Sequence, residues 1–175
     1  EYGTNATTEE TLELLEALAQ NPSPEAAITL SSALRDVNPP VRRRAIALYG
    51  QREDALFANL QSAMGRSDFE AQKLAAAILA ERFAQEWQNY MRQRLAQDNL
   101  DRVEQTLRTM QTLLRTEEEL AVILPLKEDL EALATSARTL EEASPEERER
   151  LEQQNRIASL AAYLLFRISD EGGFQ

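Results

Sequence analysis

The chain contains no cysteine and no histidine among its 175 residues. Without cysteine there is no disulfide, no thiolate nucleophile and no thiolate metal ligand. Without histidine there is no imidazole for acid–base work, and zinc sites of the usual kind and haem attachment are gone. A serine nucleophile would then need a lysine as its base, and the chain holds only Lys73 and Lys127, neither in a recognisable motif. No enzymatic activity, metal or cofactor is expected. Lack of cysteine suits a reducing or an oxidising compartment, so the location, cytoplasmic or exported and periplasmic, stays open.

Glycine and proline are also scarce, at 5 and 6 residues. The bulk is alanine, leucine, glutamate, glutamine and arginine, which favours helices, and no run alternates β-branched residues. The expected fold is therefore all-α with no sheet. Long apolar runs are missing: Ile157 to Phe166 is interrupted by Ser159 and closed by Arg167, about half of the roughly 20 residues a membrane helix requires. The numbered sequence opens on Glu1 without an initiator methionine, and the expectation is a processed or trimmed product, one region of a larger protein.

Charge is present in quantity and uneven. The net value is −11, with nine acids against five bases in residues 1–65, five against five in 66–100, and sixteen against nine in 101–175. An acidic surface repels phosphate backbones, so the expected partner is a protein and not a nucleic acid. Nothing in the sequence sets the oligomeric state.

Helix signals run along the whole chain. Thr7 or Thr8 opens a helix to about Gln20; Ser23-Pro24 opens a second, stopped by Asn38-Pro39-Pro40; a third runs from there to Gly50, read as a left-handed C-terminal residue; a fourth covers Glu53 to Met64. Ser67-Asp68 caps what reads as one unbroken helix to Gln97, with Phe69, Ala76, Phe83, Tyr90 and Gln97 at a seven-residue step. Leu100, Val103, Leu107, Met110 and Leu114 form a heptad seam, and Ile123, Leu126, Leu130, Leu133, Ala137 and Leu140 another, with Pro125 expected to kink it or split off its first turn. Thr116 with Glu119 is a capping box, and Ser144-Pro145 starts the final helix, which buries Ile157, Leu160, Ala161, Leu164 and Ile168. The reading is about eight helices in a single domain over 1–175, with short hairpins over 8–97 and a long-helix bundle over 98–170.

The first half repeats itself. Ala27, Leu30, Ala33 and Leu34 are echoed thirty residues on by Phe57, Leu60, Ala63 and Met64; Val41, Ala45, Leu48 and Gly50 are echoed by Ala71, Ala75, Ile78 and Ala80. Fixed-period similarity marks stacked helical pairs, each too small to bury its apolar face alone. The segment Ala33 to Gly50, with Asp36, Pro39-Pro40, Val41 and Arg42, resembles a HEAT repeat, in which a helix ends in aspartate and the next opens with Val-Arg. The resemblance spans about residues 8–83, and Arg66, Ala71 and Gln72 depart from it in the second repeat. It implies a curved α-solenoid that binds macromolecules, with Asp36, Val41 and Arg42 as the brace: Val41 filling the gap between helices, Arg42 reaching the Asp36 carboxylate and the carbonyls ahead of it.

Arg42, Arg43 and Arg44, with Arg35 and Arg52, read either as an anion-binding patch or as one brace with solvated neighbours. Three consecutive helical residues point in three directions, which favours the second. Phe83, Trp87, Tyr90 and Met91 read as a ligand groove or, better, as the core stripe of a helix. Arg35, Arg43, Arg44, Trp87 and Tyr90 are the candidate interaction surface. Glu117, Glu118, Glu119, Glu128, Asp129 and Glu131 would be the acids of a carboxylate–metal site, but the first three already suit a helix N-terminus. The function expected is a non-catalytic protein-interaction or scaffold module. The alternatives are a ligand-sensing helical ectodomain of a membrane-anchored receptor and a carboxylate–metal all-α hydrolase.

Overall fold

A computed structural model describes residues 7–65, 68–137 and 143–171, with side chains as far as Ser169. Asn5 and Ala6 (with Thr7 a triplet of the Asn-X-Thr form that N-glycosylation requires), the cap Ser67, Arg66, Leu140 and the acids Glu141 and Glu142 lie outside the described residues. Ten α-helices and no strand occur among the described residues. The chain divides into two compact units, Glu1–Phe83 and Ala84–Gln175.

In the first unit the helices are α1 (Thr8–Gln20), α2 (Pro24–Ser32), α3 (Pro39–Gln51), α4 (Phe57–Ala63) and α5 (Phe69–Arg82), with a 3₁₀ turn at Ala33–Arg35. Side-chain caps account for the starts of α1, α2 and α5. Thr7 and Glu10 form a reciprocal capping box on α1, Ser23 Oγ accepts from the Ala26 N–H with Pro24 in the first turn of α2, and Asp68 accepts from the Ala71 N–H of α5. α3 packs on α1 and on α5, forming one row; α2 with its 3₁₀ turn and α4 pack beside that row and meet each other at the turn.

In four of the eight repeat-related pairs both members are buried, whereas Phe57, Met64, Ile78 and Ala80 are only partly buried where their partners are covered. Leu30 and Leu60 are fully buried, as are Ala33 and Ala63, and Ala45 and Ala75. Each leucine contributes about 2 kcal/mol of burial. Tyr49 is buried in α3 and its hydroxyl accepts from the Leu56 N–H at 3.0 Å and from Asn59 Nδ2 at 2.8 Å, which pins the start of α4.

Gly50 differs from its sequence reading. Its φ is not positive, and α3 continues one residue past it to Gln51. A Cβ there would stand 2.5 Å from Ile78 Cδ1 and 2.9 Å from Ile78 Cγ2. The residue is small so that α5 can approach α3, not to turn the chain.

The expected helix from Ser67 to Gln97 is also interrupted. α5 ends at Arg82, Phe83 takes φ −130° and ψ 33°, and α6 (Ala84–Leu95) starts at the next residue. No proline or glycine marks the break. Phe83 turns instead onto Phe57, the ring centroids 6.4 Å apart, with the Arg82 guanidinium 5.6 Å from the Phe83 ring. The break also ends the seven-residue seam: Phe69 is exposed, and Trp87, Met91 and Leu95 are the buried residues of α6.

The second unit contains α6, α7 (Leu100–Leu113), α8 (Glu117–Ala121), α9 (Lys127–Ala134) and α10 (Pro145–Glu171), with a 3₁₀ turn at Leu124–Leu126. Pro125 lies in that turn, so the expected split of the helix there is what occurs. α6 packs on α7, α7 on α10 and α10 on α9, while the 3₁₀ turn meets α6 and closes the ring. Val103, Leu107, Met110, Leu114, Leu126, Leu130, Ile157, Ala161, Leu164 and Ile168 fill its centre as expected, whereas Leu100, Leu133 and Leu160 are only half-buried and Ala137 is exposed. At the start of α10 the Glu147 carboxylate accepts from the Ser144 N–H and Ser144 Oγ accepts from the Glu147 N–H, a reciprocal capping box.

Candidate interaction groove

The three consecutive arginines of α3 part company because successive helical residues are turned about 100° from each other. Arg42 is buried; its Nη1 donates to the Asp36 carbonyl at 2.6 Å and its Nη2 to the Asp68 carboxylate at 2.7 Å. The Asp36 carboxylate is not its partner, as the sequence reading had it. That group accepts from the Asn38 N–H at 2.8 Å and shapes the turn instead. Val41 is buried beside Arg42. Gln72, thirty residues after Arg42, donates to the Met64 carbonyl at 3.0 Å, so the amide reaches the end of the preceding helix much as the guanidinium does.

Arg43 donates through Nε and Nη2 to Asp68 at 3.2 and 3.0 Å. Asp68 thus caps α5 and takes both arginines, and these bonds, Arg43 foremost, hold its carboxyl down to about 2. Arg44 points the other way and pairs with Glu16 of α1. Arg35 donates to Ser62 Oγ at 3.1 Å. No anion patch forms from these side chains.

Two arginines do a job that the sequence reading missed. Arg52 is buried and donates to the carbonyls of Leu18, Asn21 and Ser23, at the C-terminal end of α1 and in the turn after it. Asp54, in turn, accepts from Arg52 Nε at 2.8 Å. Arg82 donates to the carbonyls of Gly50 and Arg52, at the end of α3. Each closes the open carbonyl end of the preceding helix in the row, where a cation also suits the dipole. Their thirty-residue spacing was the available signal.

With those charges committed, one surface of the row remains open. A groove of about 620 Å³ lies on α1, α3 and α5. α1 lines it with Glu9, Leu12, Glu13 and Glu16, α3 with Pro40, Arg43, Arg44 and Ala47, and α5 with Leu74. Leu74 is 38% exposed, so part of its side chain is left open to the groove. Among the described residues Glu9 and Glu13 have no ion-pair partner, whereas Arg43 and Arg44 are both paired. The groove therefore has an apolar floor and a net acidic α1 wall.

The second unit has a hollow of about 630 Å³ between α7 and α10, lined by Arg108, Gln111, Asn155, Arg156 and Tyr163 among others. Its two arginines both bond Glu104, Arg108 Nη2 at 2.6 Å and Arg156 Nε at 3.3 Å, with Gln153 adding a third donor. These bonds, that from Arg108 first, hold the Glu104 carboxyl below its usual range. The cluster clasps α7 to α10.

Of the remaining candidates, Trp87 is buried in the core of the second unit and Tyr90 is half-buried with the Arg94 guanidinium 5.6 Å from its ring. Glu119 caps α8, Asp129 pairs with Arg92 and Glu131 with Lys127. No group of three or more acids that could hold a metal ion occurs among the described residues. No helix among them is long and apolar enough to cross a membrane.

Comparison with known protein families, curated proteins and solved structures finds no match to this chain.

Proposed function

We propose that the chain is a non-catalytic protein-interaction module whose first unit is a short HEAT-like α-solenoid. The observation that carries this reading is the open groove along α1, α3 and α5, in which α3 and α5 are repeat-related, the α3 arginines are already bonded to Asp68 and Glu16, and Glu9 and Glu13 of α1 are left without ion pairs among the described residues. The solenoid part is supported by the equivalent burial of Leu30 and Leu60 and by the repeated helix-end arginines Arg52 and Arg82. A repeat scaffold of this kind offers a continuous helical surface to other macromolecules. The missing imidazole and thiol chemistry argues against catalysis.

The test is site-specific photocrosslinking in extract of the source cells. A crosslinking residue at Ala47, in the groove, is expected to capture a discrete protein. The same residue at Ile28, exposed on α2 away from the groove lining, is expected to capture none. Equal labelling at both sites, or no protein adduct at Ala47, rejects the proposal.

A further inference from the structure

The groove also specifies the kind of protein segment it takes, an inference that rests on the interaction reading above. On α1 the lining residues 9, 12, 13 and 16 stand at i, i+3, i+4 and i+7, and on α3 residues 40, 43, 44 and 47 repeat that spacing. Each of these two packed helices therefore presents one face, about two turns long, to the groove. That is the receiving geometry for a third helix laid in a groove. Leu12, Pro40, Ala47 and Leu74 supply the apolar contact. Arg44 is matched by Glu16, while Arg43 shares Asp68 with buried Arg42 and leaves one positive charge there, which the two carboxylates of Glu9 and Glu13 outweigh. Glu9 and Glu13, one helical turn apart on the α1 wall, are the charges left to recognise something.

We infer that the groove receives one amphipathic helix of a protein partner, with apolar residues at helical spacing facing Leu12 and Leu74 and lysine or arginine along the flank that faces Glu9 and Glu13. Desolvating the apolar floor gives affinity, and the acidic wall selects the partner's charge and its orientation.

The experiment uses the full chain and two stapled helical peptides with the same leucines at i, i+3, i+4 and i+7. One carries lysines on the flank, the other glutamates. Titration calorimetry is expected to give the lysine peptide about ten-fold tighter binding at low salt, an advantage that shrinks as salt rises. Glu9→Gln with Glu13→Gln is expected to remove most of that preference. Glu128→Gln with Glu149→Gln, an equal charge change on exposed positions of the second unit, is expected to leave it intact. Leu74→Asp is expected to weaken both peptides, with circular dichroism confirming that each variant is folded. Equal affinity for the two peptides, preference for glutamate, or a lysine preference that survives loss of Glu9 and Glu13 overturns the inference. Self-association of the chain that Leu74→Asp abolishes overturns it in favour of a second copy. Failure of both peptides to bind while Ala47 still crosslinks a protein rejects this partner class and leaves the interaction reading standing.

Discussion

Asp68 does several jobs at once in the first unit. It caps α5 and holds Arg42 and Arg43, and Arg42 Nε is a buried donor without a partner among the described residues. Removing the carboxylate leaves a buried guanidinium short of its counter-charge. Asp68→Asn is therefore expected to cost about 3 kcal/mol in urea unfolding. The pH dependence follows from the direction of the shift. The folded carboxyl sits at about 2, below its ordinary 3.8, so its stabilisation is fully present above pH 4. It is lost as pH falls from about 4 towards 2, and is on the order of 2 kcal/mol. Unfolding followed across that window is expected to show a shallower loss in Asp68→Asn than in the parent chain. Tyr49 carries a second, uncharged example. Tyr49→Phe strands the Leu56 N–H and the Asn59 amide, and a loss of about 1 kcal/mol is expected with no change in helix content.

At the scale of elements, the contact of α3 with α5 depends on Gly50. Alanine would gain about 1 kcal/mol of helix propensity. Its Cβ, however, meets a β-branched side chain whose Cγ2 cannot swing away while χ1 holds its helical rotamer. Overpacking of this kind costs about 1–3 kcal/mol, so Gly50→Ala is expected to destabilise. With Ile78→Ala in the same chain the obstacle is gone, and thermal unfolding of the four proteins is expected to give a favourable coupling of about 1 kcal/mol or more. A Gly50→Ala variant more stable than the parent would show that α5 shifts freely, contrary to tight packing at this crossing. The element most visible in the sequence, the period-30 hairpin, was legible because apolar spacing directly encodes which face is covered. The break at Phe83 was not, because it comes from a ring meeting Phe57 across the unit and not from any local stop signal. The same holds for Gly50: a glycine at a helix end reads as a cap until the neighbour opposite it is known.

For the whole molecule, the charge balance sets the solution behaviour. With net charge −11 at pH 7 and a sequence pI near 4.6, the chain is well repelled from its own copies at neutral pH. Turbidity is expected to peak near pH 4.6, where that repulsion vanishes. Stability and solubility then separate. Asp68, held at about 2, keeps its ion pairs through that pH, so the precipitate near 4.6 is expected to redissolve as folded protein, with helical circular dichroism intact. An unfolded precipitate would mean that these pairs matter less than the geometry implies.

Composition and periodicity by themselves determined that the chain is all helical, where most helices start, which faces are buried over much of the chain and which residue types are missing, because those follow from residue types and their spacing along one element. Of the candidate surface, they drew attention to Arg43 and Arg44 but also to Trp87, and overlooked Glu9, Glu13 and Leu74. Only the tertiary structure decided that Asp68 takes two of the arginines, that Arg52 and Arg82 close helix ends, that Trp87 is core and that a groove stays open beside Leu74. Whether a side chain is spent on a neighbour or left for a partner depends on which elements lie within a few ångströms of it, and that distance is not written in the order of the residues.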